Sequence, residues 1–285
     1  MSVRTLLFVP GDRPERFDKA VSSGADAVVL DLEDAVSASN KESARDAVQA
    51  WLRRMAGHPG PMRLVRVNAR STPWFDGDVA ALRDVEVQGV VLPKCEQPAD
   101  VQGLPDVGLW PLIETAKGLV NSAAIGSARG VVRLVFGSLD IQLDLGIDAD
   151  VVESELAPYR AQLVLASRLA GLAPPVDGVT IAYHDDAQLT NDVQRAVRQG
   201  FGAKLCIHPR QVALVHAAMH PGDAAVAHAR RVLQIASASG GAAVALDGTM
   251  VDRPVILRAQ AVLVRAGQGH VLTPHAHLPT PSRVP

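Results

Sequence analysis

Leu109-Trp110-Pro111-Leu112-Ile113-Glu114 and, further along, Val131-Val132-Arg133-Leu134-Val135-Phe136-Gly137-Ser138-Leu139-Asp140 are two short apolar runs, each leading to a lone carboxylate. A continuous apolar run bounded by glycine and polar residues suits a strand buried on both faces, as in a parallel sheet. The stretch between them, Ala116 to Ala128, has a helical pattern. If the two runs are successive parallel strands of one barrel, Glu114 and Asp140 open side by side onto the same rim. Two hard carboxylate oxygens with room left for waters and a substrate is how proteins hold Mg²⁺. Taken singly, Glu114 could cap the following helix and Asp140 could sit in a turn. As a pair at matching strand ends, they point to a metal.

Outward from this stretch the same alternation recurs. Leu6–Val9 precedes a helix from about Glu15 to Ser22. Ala27–Leu30 leads into Asp31-Leu32-Glu33-Asp34 and a helix from about Lys41 to Met55, with Asn40 as its expected cap. Arg63–Asn68 precedes a weaker helix around Gly77 to Arg83, and Gly89–Leu92 ends in Pro93-Lys94. After the two central runs, a long helix is expected over about Val151 to Leu172. Asp177–Ile181 is a seventh run and Ala203–His208 an eighth. Strands alternating with helices eight times give an α/β fold, a (β/α)₈ TIM barrel. Such barrels carry their chemistry at the C-terminal strand ends. Here those ends hold Asp12 and Arg13, then Asp31, Glu33 and Asp34, then Arg66 and Asn68, followed by Lys94, Glu114, Asp140 and His208.

The barrel is expected over residues 1–220. Beyond the break at Pro221-Gly222, residues 221–268 form an extension with helices over Ala224 to Ser237 and Val255 to Arg265. Between them lie Ala242 to Leu246 and Met250 to Asp252 around a turn at Asp247-Gly248. This piece is too small to fold alone and must lie against a barrel, its own or a neighbour's. Residues 269–285 show no periodicity and are expected to be a flexible tail, so His275 and His277 are not a metal site.

Composition narrows the function. With 48% hydrophobic residues among 285, the chain has ample material for a core. A net charge of −2 without a long basic run leaves no nucleic-acid footprint. No apolar stretch approaches membrane-spanning length, and the first run stops at Pro10-Gly11, too short for a signal-peptide core. Cys95 and Cys206 belong to no metal-ligand spacing. A soluble, reduced, cytoplasmic protein is the expectation.

Several segments resemble one family. Leu7-Phe8-Val9-Pro10-Gly11-Asp12-Arg13-Pro14-Glu15-Arg16, Leu30-Asp31-Leu32-Glu33-Asp34-Ala35-Val36, Arg66-Val67-Asn68 and Pro93-Lys94 are similar to the citrate lyase β-subunit-like proteins of the HpcH/HpaI aldolase/citrate lyase family. So are Pro111-Leu112-Ile113-Glu114-Thr115-Ala116, Phe136-Gly137-Ser138-Leu139-Asp140, Lys204 to Gln211 and Asp247 to Pro254. The resemblance runs in order from about residue 4 to 265. It implies a Mg²⁺-dependent carbon–carbon lyase that splits a citryl-, citramalyl- or malyl-CoA type thioester into an α-keto acid and an acyl-CoA. Some family members are instead malyl-CoA thioesterases.

By this resemblance, Glu114 and Asp140 are the Mg²⁺ ligands and Arg66 binds the carboxylate of the keto-acid half. Asp252 reaches over a neighbouring barrel as acid/base at the thioester methyl carbon. The resemblance also implies a homotrimer or hexamer, with the C-terminal piece as lid of the adjacent site. The chemistry has a use for each group. A metal lowers the pKa of the substrate hydroxyl, a guanidinium grips a carboxylate at two points, and the enolate needs a proton.

Each residue also has a plainer reading. Arg66 could merely pair with Glu33 or Asp34. Asp31, Glu33 and Asp34 are too crowded to be all unpaired, and are expected to orient metal waters and Arg66 rather than bind the ion. Asp252, close before Pro254, could be only a helix N-terminal charge. Arg13, Arg16 and Lys19 could meet CoA phosphates at a helix start or form a solvated face. Lys94 is a second electrostatic partner at the rim, and His208 a structural hydrogen-bonding residue. The rivals to the lyase are a thioesterase on the same scaffold and a non-catalytic binding subunit. The acyl carrier could be CoA or an acyl carrier protein.

Overall fold

A computed structural model describes residues 3–238 and 244–268, and its contacts divide the chain into two units, with the boundary after Met219. In the first unit eight parallel strands close into a barrel in sequence order. They are β1 (Thr5–Pro10), β2 (Ala27–Asp31), β3 (Met62–Arg66), β4 (Gly89–Leu92), β5 (Gly108–Ile113), β6 (Val135–Phe136), β7 (Val176–Asp177) and β8 (Ala203–Cys206). Pairing of β1 with β8 closes the ring. The helices between them are α1 (Phe17–Val21), α2 (Lys41–Arg54), α3 (Phe75–Ala81), α4 (Ala116–Gly126), α5 (Ser138–Leu145), α6 (Ala157–Leu169), α7 (Asp186–Gln199) and α8 (Pro209–Met219).

The strand runs are continuously apolar because both faces are buried, and the period of two divides them between two cores. Leu6, Val29, Leu64, Trp110, Leu112, Val135 and Leu205 fill the barrel interior. Their neighbours Leu7, Val28, Leu30, Val65, Ile113 and Cys206 face the helix layer. Counting two residues onward from interior positions Val29, Leu64 and Leu112 reaches Asp31, Arg66 and Glu114. The same parity that fills the barrel therefore aims these three side chains inward at its C-terminal rim.

Local boundaries differ from the sequence reading in instructive places. The helix expected over Val151 to Leu172 is shorter, running from Ala157 to Leu169. α5 ends at Gly146, a left-handed cap, and Asp150 Oδ1 accepts the N–H groups of Val152 and Glu153, both at 2.8 Å. These bonds hold a turn, and a single 3₁₀ turn over Ser154–Leu156 leads into α6, which has Pro158 in its first turn. The sixth run pairs as a strand only over Val135–Phe136, with Val131 making a lone bridge to Leu109. Arg133, inside the run, instead turns its buried guanidinium to the carbonyls of Val3 and Pro174, each at 2.6 Å. The seventh and eighth strands stop at Asp177 and Cys206, short of Ile181 and His208. Asn40 does not cap α2; its side-chain amide donates to Asp12 Oδ2 at 3.1 Å.

The second unit, described by itself, is a helix pair with a hairpin between: α9 (Asp223–Ala238), β9 (Val244–Leu246), β10 (Thr249–Val251) and α10 (Arg253–Arg265). Asp247 and Gly248 both have positive φ, 48° and 78°, which is what a two-residue type I′ hairpin turn requires. Val226, Val232, Leu246, Val251, Ala259 and Leu263 form its core. The tail expected over 269–285, with His275 and His277, lies outside the described residues. Among the described residues no helix is long and apolar enough to cross a membrane.

Behind the barrel wall, the wholly buried Asp177 accepts from Arg160 Nε at 2.9 Å and Lys204 Nζ at 3.1 Å. Two buried cations depend on this one carboxylate, and Arg160 is also paired with Glu153. Asp177→Ala is expected to cost about 3–5 kcal/mol, because it strands buried charge. Urea denaturation of the full chain measures this.

Candidate active site

The site grows from the ends of β2, β3, β5 and β6. Asp31 and Arg66 are direct register partners across β2 and β3. Their side chains form a two-point ion pair, Nε to Oδ1 at 2.7 Å and Nη2 to Oδ2 at 2.6 Å. Asp31 Oδ1 also accepts the Glu33 N–H at 2.9 Å, which curls the chain past the strand end. Glu33 Oε2 stands 2.8 Å from Arg66 Nη1 but out of line for a hydrogen bond. The Phe8 ring lies 4.9 Å from the guanidinium carbon. Burial works to lower the Arg66 pKa, but Asp31, Glu33 and Glu114 hold it well above its ordinary value. Two of five N–H groups are spent on Asp31, so the guanidinium keeps donors for a ligand.

Glu114, immediately after β5, is 2% exposed, and its Oε1 accepts the Lys94 backbone N–H at 2.7 Å. Lys94 takes a left-handed backbone, φ 50°, to make this contact, and its ammonium reaches Glu33 Oε1 at 3.3 Å. One residue thus ties the β2 and β5 ends together across β3. Gly137 forms the other flank of Glu114. A Cβ there would stand 2.5 Å from Glu114 Oε2, so only glycine leaves the carboxylate its place. Burial, then the charges of Glu33 and Asp140, push the Glu114 carboxyl up to about 8. Burial likewise raises Glu33 despite Arg66 beside it.

Asp140, in the first turn of α5, joins Glu114, Arg66, Asp31 and Asp34 in lining a single cavity of about 320 Å³. Asp31 is matched by Arg66, which leaves Glu114 and Asp140 as an uncompensated acidic pair. Among the described residues no group of three or more His, Cys, Asp or Glu is placed to hold a metal. Two carboxylates supplemented by water and ligand oxygens remain a fitting donor set for a small hard dication. A buried carboxylate whose proton is held up to about 8 by its neighbours fits the same role.

The other residues singled out from the sequence fall elsewhere. Arg13 is exposed and paired with Glu15 at 2.9 Å, Lys19 is exposed on α1, and neither lines the cavity. Asp34 is exposed at the mouth. His208 stacks on Tyr183, centroids 4.9 Å apart, and accepts the Arg210 N–H at 3.2 Å. Asp252, in the second unit, is the N-cap of α10 and accepts the Val255 N–H at 3.2 Å.

Lys41 escaped the sequence reading. It is buried, and its ammonium donates to the carbonyls of Leu32 and Glu33 at 2.7 and 2.8 Å. It therefore fastens the acidic turn from behind. A lysine at the first position of a helix opposes the macrodipole, and that was the available signal that it has a tertiary partner.

Comparison with known proteins adds four findings. The family model described as HpcH/HpaI aldolase/citrate lyase matches residues 4–108 and 105–209. A citrate lyase subunit beta-like protein of Deinococcus radiodurans is 37% identical over 276 residues, covering 92% of this chain and 96% of that one. A (3S)-malyl-CoA thioesterase of Cereibacter sphaeroides is 32% identical over 277 residues, covering 92% and 94%. Among solved structures, CitE of Mycobacterium tuberculosis in complex with magnesium, acetoacetate and coenzyme A matches with a TM-score of 0.83 at 34% identity. It covers 93% of this chain and 98% of that one.

Raising the Glu114 pKa from 4.5 to about 8 makes a signed stability prediction. The contribution is full below the unfolded value near 4.5 and is lost as pH rises through about 8. Metal-free protein should therefore lose several kcal/mol between pH 5 and 9, at about 1.4 kcal/mol per unit of displacement. Glu114→Gln keeps the acceptor for Lys94 N–H, and should flatten this slope and be the more stable of the two at pH 9. Chemical denaturation in a chelator at both pH values measures it.

Proposed function

The chain belongs to the HpcH/HpaI aldolase/citrate lyase family, and on that premise we propose that it is a Mg²⁺-dependent carbon–carbon lyase. Its substrate is a 3-hydroxy-carboxylic acid carried as a citryl-, citramalyl- or malyl-CoA type thioester, and its products are an α-keto acid and an acyl-CoA. The observation that carries this reading is the meeting of Arg66, Glu114 and Asp140 around one cavity. The Mycobacterium relative bound to magnesium and coenzyme A supports the ion and the carrier.

Glu114 and Asp140 hold the ion in this scheme. When bound, Mg²⁺ supplies Lewis-acid polarisation of the substrate hydroxyl. Arg66, locked at its back by Asp31, grips the neighbouring carboxylate with its remaining N–H groups. Glu33 and Asp34 complete the acidic surround that orients Arg66 and the ion's waters. The bond between the α and β carbons breaks as the hydroxyl loses its proton. The keto acid forms, and the thioester enolate takes a proton at its methylene carbon, which becomes the methyl of the acyl-CoA. Asp252 is proposed as that acid/base group, brought by the second unit of a neighbouring copy in a homotrimer or hexamer. Arg13 and Lys19, exposed past the first strand, are proposed to meet the CoA phosphates.

A thioesterase outcome has a specific observation in its favour, the (3S)-malyl-CoA thioesterase relative at 32% identity. The products separate the two readings, since hydrolysis releases a free hydroxy acid and lysis a keto acid.

Full-length protein with Mg²⁺ should release keto acid from at least one of the three thioesters, and a chelator should abolish release. Glu114→Gln should remove both turnover and the Mg²⁺-dependent rise in melting temperature. Asp252→Asn should lower kcat by about 10²–10⁴ while leaving that rise intact, a smaller loss than removal of the metal. Neither keto acid nor hydroxy acid from folded, Mg²⁺-loaded protein would overturn the reading.

A further inference from the structure

Two residues of the cavity wall, Val179 and Ile207, stand beyond the sheet. Pairing carries β7 no further than Asp177 and β8 no further than Cys206. Backbone that has left a ladder needs other partners for its N–H and C=O groups. Here they are side chains. Lys204 Nζ donates to the Gly178 carbonyl at 2.7 Å, and Gln211 Nε2 donates to the Thr180 carbonyl at 2.9 Å. Val179 is therefore fastened on both sides. Across the gap, Gln211 Oε1 accepts the N–H of Ile207 at 2.8 Å and that of His208 at 3.2 Å.

Gln211, in the first turn of α8, thus stands in for the missing rung between the ends of β7 and β8. It is wholly buried, so water does not substitute for these bonds. Their directions leave one way to seat the amide, since the Thr180 carbonyl only accepts and the backbone N–H groups only donate. A carboxylate of the same length has no donor to offer, and a thioether has no strong donor or acceptor. Behind the amide, Thr180 Oγ1 donates to Asp192 Oδ2 at 2.7 Å, and Asp192 is paired with Arg195. On the other side, the bare Cα of Gly178 rests against Ser138, two residues before Asp140. A Cβ there would collide with the Ser138 hydroxyl. The segment around Val179 is thereby wedged between the start of α5 and the clasp made by Gln211.

We infer that Gln211 is a positioning residue, whose amide sets the spacing of Val179 and Ile207 and so the shape of the cavity that Arg66, Glu114 and Asp140 also line. Its effect on catalysis rests on the reading above that this cavity takes the thioester. A wall that touches the substrate alike in ground and transition states is read in KM, with kcat little changed.

Two variants of the full chain test this. Gln211→Met keeps the length and removes the bonds to Thr180, Ile207 and His208. Its KM for a thioester that the wild type turns over is expected to rise about tenfold, with kcat within about twofold. The Mg²⁺-dependent rise in melting temperature should persist, because Glu114 and Asp140 lie on other elements. Hydrogen exchange at the Ile207 and His208 amides should be about tenfold faster. Gln211→Glu keeps the test open should the methionine variant not fold. Ionised, it sets an oxygen against the Thr180 carbonyl; protonated, it donates there as the amide does. Burial raises the pKa of such a carboxyl, so its KM should be about tenfold above wild type at about pH 9 and fall back to the wild-type value at about pH 6. The charged and titratable groups nearby are Asp192, Arg195, His208 and Arg210, and comparison with wild type at each pH removes their own contribution. A folded Gln211→Met protein with unchanged KM, or a Gln211→Glu ratio that does not move with pH, overturns the inference and leaves the reading of the cavity standing. Wild-type protein that turns over no thioester removes that reading, and amide exchange alone then decides whether Gln211 holds the two ends.

Discussion

The pairing of Asp31 with Arg66 is the interaction on which the site depends. Strand register makes the two residues direct partners, and the fork between them turns a long flexible side chain into a fixed plane at the floor of the cavity. A slip of one residue in that register would turn one of the two side chains into the helix layer and break the pair. The barrel ladder and the binding geometry are therefore one constraint. Apolar residues at alternate positions fix the register, and the register fixes where the guanidinium stands.

Around that pair the protein gathers more negative charge than it neutralises. Glu114 is held in place by the Lys94 backbone and by the absence of a side chain at Gly137, and these contacts keep it close to other carboxylates. Such crowding lowers the stability of the empty protein and prepares a place for a dication, the exchange of stability for function common at active sites. The left-handed backbone of Lys94 belongs to the same pattern, local strain kept because the surrounding contacts determine it.

Much of this was legible in the sequence. Apolar runs without alternation signalled strands buried on both faces, and the polar residues collected at their C-terminal ends gave the rim. The breaks were harder to read. Val151 and Val152 continue an apolar pattern towards the next helix, yet both are exposed, because Asp150 holds the chain in a turn. Arg133 sits inside an apolar run and spends its guanidinium on carbonyls remote in sequence, so β6 is shorter than its composition suggests. The roles of Lys41 and Lys94 depend on contacts between elements far apart in the chain, which spacing cannot reveal. Spacing offered Asp31, Glu33 and Asp34 as neighbours of Arg66 without ranking them; the two-point pair is with Asp31, and Glu33 stands 2.8 Å away as a second ion partner.

The two kinds of residue around the cavity are anchored differently. Arg66 and Asp31 lie within the ladder, whereas Val179 and Ile207 lie beyond the last paired residues of β7 and β8. Backbone pairing in the sheet does not pass through those two positions. Over evolutionary time, a lineage with this scaffold can therefore change the shape and polarity of the mouth by single replacements while the reacting groups stay in register. Divergence of preference among relatives should accumulate at these unladdered ends, leaving the underlying chemistry shared.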